Sequence, residues 1–246
     1  RLFSLSIEEE DEDEHTEESI LQLCNQRLDN EIFLTWHYRS RHEDLIRFSN
    51  EKFYDGRLRI FPSPYVDGKE AGVINVKVDD GVFKNGVNAI EADRVIVEAK
   101  QCMANYPEKS LGIVAMNIRQ TEYIEEELLR LADTDKTIRD YVDRWQDDIL
   151  NFLFIKNLER VQGDERDIII ISTVYGKDEN GNMFQRFPLI NTDQGYRRLN
   201  VLYTRAKQKI IHVTSMNAAD VKVDENARRG KKAFHDYIEY AATGRV

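Results

Sequence analysis

Short apolar runs alternate along the chain with longer stretches in which apolar residues recur at helical spacing. The apolar runs at residues 73–78, 111–116, 152–158, 167–172 and 209–215 predict strands, and the β-prone run at 32–36 predicts another short one. The amphipathic stretches predict helices at residues 19–28, 41–53, 88–104, 118–131, 196–205 and 226–240. Residues 56–72 and 176–182 are rich in turn formers and predict loops.

The strand patterns indicate how the sheet is built. The runs "DIIIIS" (167–172) and "KIIHVT" (209–214) are almost continuously apolar, which is typical of parallel strands covered on both faces. Strands also alternate with helices, so the sequence predicts an α/β fold with a doubly wound, mostly parallel sheet flanked by helices. Ligands of such sheets bind at the carboxyl ends of the strands, and we expect the site there.

Charge is concentrated in one segment. The 246 residues include 45 acids and 35 bases and carry a formal net charge of -10. Residues 8–18, "EEEDEDEHTEE", contain nine acids and no Lys or Arg, and acids and bases nearly balance in the remainder. The overall acidity therefore leaves room for a local basic groove that binds nucleic acid.

Cellular location is constrained by the cysteines and by the lack of long apolar runs. Cys24 and Cys102 have no C-x-x-C spacing, which indicates a reducing compartment and no zinc or disulfide framework. No run reaches the ~18 apolar residues of a membrane span, and the start does not resemble a signal peptide. We expect a cytoplasmic protein without membrane contact, and a chain that begins with Arg1 is expected to be a piece of a longer one.

Searches for familiar catalytic motifs are mostly negative. The sequence contains no G-x-x-x-x-G-K-[ST], no G-x-G-x-x-G after a strand, no H-E-x-x-H and no G-x-S-x-G. The five histidines lack metal-ligand spacing. "VDGK" at residues 66–69 has the D-x-K spacing of metal-dependent nucleases, but it lies in a proline-bounded loop, where a turn is the better interpretation.

Three charged stretches border predicted strands. They are "WHYRSRHEDLIRFSNEKFYDGRL" (36–58), "LERVQGDERDIIIIS" (158–172) and "RRLNVLYTRAK" (197–207). Arg39 and Arg205 can point into one cleft if these turns meet at one edge of the sheet, and the planar guanidinium suits phosphate. Tyr38 offers a flat ring to a base, and Glu165 can accept hydrogen bonds from a ribose or orient a nearby arginine.

Together the three stretches resemble motifs IV, V and VI of the second RecA-like domain of superfamily 1 helicases, of the UvrD and nonsense-decay types. "LGIVAMNIRQ" (111–120) is similar to the segment between motifs IV and V, so the resemblance spans about residues 35–215. It is closest to large multidomain bacterial helicase-related proteins. It implies a RecA-like, P-loop NTPase-like fold without its own P-loop. We expect an acidic segment and lead-in helix at 1–30, this domain at 31–216, and a C-terminal helix leading to further domains at 217–246.

The resemblance also implies roles for individual residues. In ATP binding, Tyr38 would stack on adenine, Arg39 would contact the terminal phosphates, Arg205 would reach the γ-phosphate, and Glu165 would meet the ribose or hold that arginine. Gln162 and Gly163 would line the nucleotide and nucleic-acid side. The residues implied in contact with a single strand of nucleic acid are Asn117, Arg119, Gln120, Ser172 and Thr173.

Two departures from the family pattern limit these expectations. The segment before residue 118 usually has a Pro and an aromatic residue that touch the strand, whereas this chain has "AMNIRQ", which weakens the expected contact. The P-loop lysine, the acid that binds Mg²⁺ and the water-positioning glutamate belong to a first RecA-like domain, and this sequence shows none of them. We therefore expect ATP and Mg²⁺ as cofactors, but no metal ligand in this chain.

The expected function is the C-terminal motor half of an ATP-dependent DNA or RNA helicase. Its partners would be single-stranded nucleic acid and the first RecA-like domain of the same full-length chain, and the isolated fragment would be inactive. The alternative is a non-hydrolysing, helicase-like scaffold or nucleic-acid-binding module. A nuclease dependent on Asp67 and an acidic run that mimics phosphate in the strand groove are further hypotheses.

Overall fold

The computed structural model describes residues 32–63 and 70–246. The predicted helix at 19–28, the acidic run at 8–18 and Asp67 of "VDGK" lie outside the described residues. No helix in the described ranges is both long enough and apolar enough to cross a membrane.

The described residues form seven strands: β1 Trp36–His37, β2 Arg59–Ile60, β3 Gly72–Lys77, β4 Leu111–Ala115, β5 Phe154–Asn157, β6 Arg166–Ser172 and β7 Ala206–Thr214. The last five form one parallel sheet with strand order β3-β7-β6-β4-β5. The short strands β1 and β2 form a separate parallel pair that precedes it. The predicted parallel α/β sheet is thus confirmed.

Helices connect most successive strands of this sheet. They are α1 Asp44–Phe53, α2 Ala89–Asn105, α3 Ile118–Ala132, α4 Lys136–Trp145, α5 Asp193–Tyr203 and α6 Arg229–Thr243, with a short 3₁₀ helix at Ala218–Asp220. Helices α2, α3 and α4 pack on one another and on the sheet, as do α1, α5 and α6. The chain steps across the sheet in one direction from β3 to β5 and in the other from β5 to β7, so right-handed crossovers place the two groups on opposite faces. This is the predicted double winding.

The middle parts of β4 and β6 are aliphatic. Every residue of β4 is buried, and residues 168–172 of β6 are buried as well. Ile170 pairs with Ile113 on one side and Ile211 on the other, so three isoleucines form a row across the middle of the sheet. Such packing explains why these strands have no polar alternation.

Some element predictions need correction. Residues 136–145 form α4, which the sequence analysis did not predict, with Ile138, Tyr141 and Val142 buried. In α2, the apolar residues Ile90 and Val97 are exposed. The buried face of that helix instead includes Glu91, whose role is described below.

Helix α6 packs into the same core as the sheet. Phe234 and Tyr237 are fully buried, and Tyr237 stacks on Tyr203 of α5 with ring centroids 3.5 Å apart. Phe48 of α1 lies edge-on to Tyr237 at 5.0 Å. The helix beyond residue 216 therefore completes the face formed by α1 and α5.

Truncation of a central strand residue tests this packing. We expect Ile170→Ala to lower the free energy of unfolding by about 2–5 kcal/mol, because it opens a cavity in a site that is 0% exposed. Ile149→Ala makes the same chemical change at a position that is 72% exposed and should stay within about 0.5 kcal/mol of the wild type. Urea denaturation of both variants measures the difference, and equal losses would contradict the described core.

Candidate functional site

A carboxylate shared by two cations lies at the amino ends of β6 and β7. Glu165 directly precedes β6, and one of its oxygens, Oε2, lies 2.9 Å from Nε of Arg39. Its other oxygen, Oε1, lies 3.0 Å from Nζ of Lys207 in β7. Glu165 therefore joins the stretch after β1 to the start of β7.

The main chain fixes the same arrangement. The amide of Arg41 donates a hydrogen bond to the carbonyl of Lys207 at 2.7 Å, which docks the loop after β1 onto β7. Gly163 adopts φ +88°, a conformation that glycine reaches without steric cost, in the turn that leads to β6. The Gly-containing motif thus reverses the chain just before Glu165.

Arg205 occupies the turn between α5 and β7, next to the Glu165 cluster. Its Nε donates to the carbonyl of Val201 at 2.8 Å, and its Nη1 lies 3.5 Å from the carbonyl of Asp164. Partial burial lowers the pKa of Arg205, and the positive charge of Arg39 acts in the same direction. An arginine remains charged at any working pH, so two guanidinium groups face one region that favours an anion.

This position corrects one expectation. The sequence analysis placed the site at the turns after the strands, where ligands of parallel sheets usually bind. Arg39 and Arg205 do lie close together, but Glu165 and Arg205 precede β6 and β7, so the cluster is at the amino ends. The reason is that Arg205 lies in the turn that leads from α5 into β7, so it precedes its strand instead of following it.

An exposed aromatic surface adjoins the cationic cluster. The side chain of Tyr38, next to Arg39, is 89% exposed. Trp36 is 54% exposed and stacks on Phe61 at 5.2 Å between ring centroids. Tyr38 directly follows β1, so its exposed ring and that of Trp36 lie in one short segment beside Arg39. Gln162 and Gly163 are also exposed beside the cluster.

The other predicted residues lie at the opposite, carboxyl ends of the strands. Asn117 caps α3, because its Oδ1 accepts the amide hydrogen of Gln120 at 2.9 Å, and its Nδ2 donates to the carbonyl of Gly86 at 2.9 Å. Arg119 is exposed and its Nη1 donates to the carbonyl of Asn85 at 2.7 Å. Among the predicted strand contacts, Arg119 is the one with an exposed charge.

Gln120, Ser172 and Thr173 are fully buried. Gln120 Nε2 donates to Oγ of Ser172 at 3.2 Å, and Ser172 Oγ donates in turn to the carboxylate of Glu91 at 2.7 Å. A nucleic acid strand could reach these three side chains only if this packing opened. The sequence analysis missed Glu91; the N-x-x-E spacing from Asn88 indicates a helix start, but not burial of the acid.

No group of three or more His, Cys, Asp or Glu side chains in residues 32–63 and 70–246 is placed to hold a metal ion. The ligands of Mg²⁺ remain expected in a first RecA-like domain.

The two cations leave a measurable signature on Glu165. They lower the pKa of its carboxyl group, chiefly through the hydrogen bond from Lys207, with smaller contributions from the charges of Lys207, Arg39 and Arg205. A lowered pKa in the folded state means that the cluster stabilises the fold above the ordinary carboxyl pKa. This stabilisation is lost as the pH falls through the lowered value.

We expect an NMR titration of the side-chain carboxyl carbon of Glu165 to have its midpoint below the ordinary glutamate value. Lys207→Met should raise that midpoint more than Arg39→Met, since the Lys207 hydrogen bond is the largest cause. Asp148, whose pKa is lowered by its hydrogen bond from Asn151, serves as the internal control and should not move in either variant. A titration midpoint of Glu165 that does not change in Lys207→Met would rule out the described ion pair between Glu165 and Lys207.

Comparisons with known proteins agree with the motifs. The family model described as "AAA domain" matches residues 16–217. The ATP-dependent helicase MG140 of Mycoplasma genitalium, described as uncharacterized, is 34% identical over 245 residues, which cover 95% of this chain and 21% of that protein. The putative helicase MOV-10 of Gallus gallus is 29% identical over 232 residues, covering 84% of this chain and 22% of that protein.

The chain thus spans about a fifth of the length of these curated relatives. Among solved structures, the C-terminal domain of a possible DNA helicase from Lactobacillus plantarum WCFS1 is 13% identical and has a TM-score of 0.40, covering 76% of this chain and 94% of that one. A TM-score this low supports no inference. On the family match, the chain belongs to the AAA domain family, and the helicase names of its relatives agree with the helicase motifs.

Proposed function

We propose that the chain is the second motor domain of an ATP-dependent helicase and supplies half of its nucleotide site. The observation that carries the proposal is the cluster at the amino ends of β6 and β7. There Arg39, Arg205 and Lys207 surround the carboxylate of Glu165. The carboxylate of Asp164, which also acts on Arg205, is paired with Lys156, so the cluster keeps an excess of positive charge that suits a polyphosphate.

In this proposal each group contacts a different part of ATP. The exposed ring of Tyr38 stacks on adenine, and Arg39 and Arg205 contact the terminal phosphates. Glu165 meets the ribose. The arginine that it pairs with in the structure is Arg39, whereas the resemblance implies that it holds Arg205. Gln162 and Gly163, in the turn before β6, line the same surface.

Arg205 would contribute to catalysis through charge. Transfer of the γ-phosphoryl group to water breaks its bond to the oxygen of the departing ADP, and negative charge spreads over the phosphate oxygens. A guanidinium that is already partly buried, and held by neutral carbonyl oxygens, can stabilise that charge without first leaving a carboxylate partner. An arginine in this role accelerates the reaction roughly 10³–10⁵-fold.

The site is open and needs a second body. The ring of Tyr38 is almost fully exposed, and Ile32 and Leu34, in the segment before β1, are 87% and 82% exposed. An exposed apolar surface next to a charged site is typical of a domain interface. We propose that a first RecA-like domain of the full-length protein covers it and brings the P-loop. Its closure on ATP would move the two domains along a single strand.

The nucleic acid would lie at the other edge of the sheet. Arg119 and Asn117 mark the carboxyl ends of the strands, where a phosphate backbone could be held. Nucleotide and strand would then contact opposite ends of β6 and β7. Movement of these strands relative to the first domain would couple the two sites.

Removing the guanidinium of Arg205 is the direct test. In the full-length parent, Arg205→Ala should lower kcat of strand-stimulated ATP hydrolysis by roughly 10³-fold or more while changing the KM for ATP far less. Arg130→Ala removes an arginine from the exposed face of α3, where it pairs with Glu127, and should leave kcat within about twofold. An unchanged rate in Arg205→Ala would favour the helicase-like scaffold instead.

The isolated 246-residue chain should release no phosphate from ATP, because its sequence contains no P-loop motif. A phosphate-release assay on purified wild type and on Arg205→Ala checks this. A wild-type rate that the substitution abolishes would show that this chain alone completes the site.

A further inference from the structure

A buried carboxylate joins three elements at the carboxyl edge of the sheet. Glu91 lies in the first turn of α2 and is 0% exposed. Its Oε1 accepts hydrogen bonds from Oγ of Ser172 at 2.7 Å and from the amide of Val174 at 2.6 Å. Both donors belong to the end of β6 or the turn that follows it.

The second oxygen of Glu91 serves mainly the neighbouring strand. Its Oε2 accepts from the amide of Ser215 at 3.0 Å and from Oγ of the same residue at 3.1 Å, directly after β7. Thr173 Oγ1 donates to Oε2 at 3.3 Å. One carboxylate therefore fixes the ends of two adjacent parallel strands, with a main-chain amide bound to each oxygen.

The turn after β6 is strained. Val174 adopts φ +68°, a region that a β-branched residue rarely occupies, and its side chain is fully buried. Such a conformation persists only where the surroundings hold it, and strained turns concentrate at functional sites. The amide of Val174 donates the shortest of the hydrogen bonds to Glu91, so this carboxylate holds the strained turn in place.

The network continues to the predicted strand-contact residues. Gln120 bridges Oγ of Ser172 and the carbonyl of Asn88, and Asn88 Nδ2 donates to Oγ of Ser215 at 2.7 Å. Gln120 is in the first turn of α3, beside Arg119. The positions of the strand ends and of the α3 amino terminus are thus linked through groups that Glu91 binds.

We propose that Glu91 is a positioning residue for nucleic acid. It holds the ends of β6 and β7 in the shape on which a single-stranded nucleic acid rests, and it does not touch the nucleic acid itself. This rests on the proposed helicase function. Glu91 lies at the carboxyl ends and the Arg205 cluster at the amino ends, so losing Glu91 should weaken strand binding and spare nucleotide binding.

Glu91→Gln in the full-length parent tests the proposal. The substitution keeps the size of the side chain but puts an NH₂ group against a main-chain N–H donor. The end of one β-strand therefore loses its hydrogen-bond acceptor. Binding of labelled oligodeoxythymidylate and oligouridylate is measured by fluorescence anisotropy without ATP. The variant should bind the oligonucleotide that the wild type binds with an affinity at least tenfold weaker than that of the wild type. The KM for ATP without strand should stay within twofold.

Glu98→Gln is the matched control. Glu98 is a second buried glutamate of α2, but its carboxylate pairs with Arg94 of the same helix. We expect its strand affinity to stay within twofold of the wild type. If Glu91→Gln does not fold, Ser172→Ala and Ser215→Ala remove one hydroxyl donor from each strand end, and each should weaken strand binding by a few-fold.

Unchanged strand affinity in folded Glu91→Gln, or in both serine variants, would overturn the proposal. So would a parallel loss of ATP and strand binding, since that indicates general loosening. The readout is strand binding without hydrolysis, so it is separate from the Arg205 experiment. The Arg205→Ala experiment can contradict the proposed function while the Glu91→Gln result agrees with the proposed role of Glu91, and the reverse can also occur.

Discussion

The parallel direction of all five strands gives the sheet two chemically different edges, and the proposed site depends on that difference. Every strand of the sheet enters at one edge and leaves at the other. The turn before β6 and the turn before β7 therefore meet, which brings Glu165 and Arg205 together although they are far apart in sequence. The turns after the same strands meet at the far edge and form the Glu91 network.

Two carboxylates organise these edges in opposite environments. Glu165 is partly exposed between cations, which lower its pKa and keep it ionised. Burial raises the pKa of Glu91, and the hydrogen bonds from Ser172, Val174 and Ser215 oppose that rise. An exposed carboxylate can exchange partners when a phosphate arrives, whereas a buried one with every partner satisfied resists rearrangement. The first suits a ligand site and the second suits a fixed platform.

Much of the fold was predictable because the buried strands are continuous aliphatic runs with no competing pattern. That Arg39 and Arg205 meet beside Glu165 was also predictable from the motifs, whereas their contact with a phosphate stays a proposal. It was not predictable at which ends of the strands the cluster lies. The general rule favours the carboxyl ends, and only the three-dimensional order of the helix, turn and strand around Arg205 places the cluster at the amino ends. Glu91 was missed because a charged residue in an amphipathic helix is usually assigned to the solvent face.

A structure of the full-length parent with a non-hydrolysable ATP analogue and an oligonucleotide tests the central claim most directly. We predict that the guanidinium of Arg205 lies about 3 Å from an oxygen of the terminal phosphate, at the amino ends of β6 and β7. The oligonucleotide should cross the carboxyl ends near Arg119. A terminal phosphate bound at the carboxyl ends, with Arg205 still turned to the carbonyl of Val201, would contradict the account.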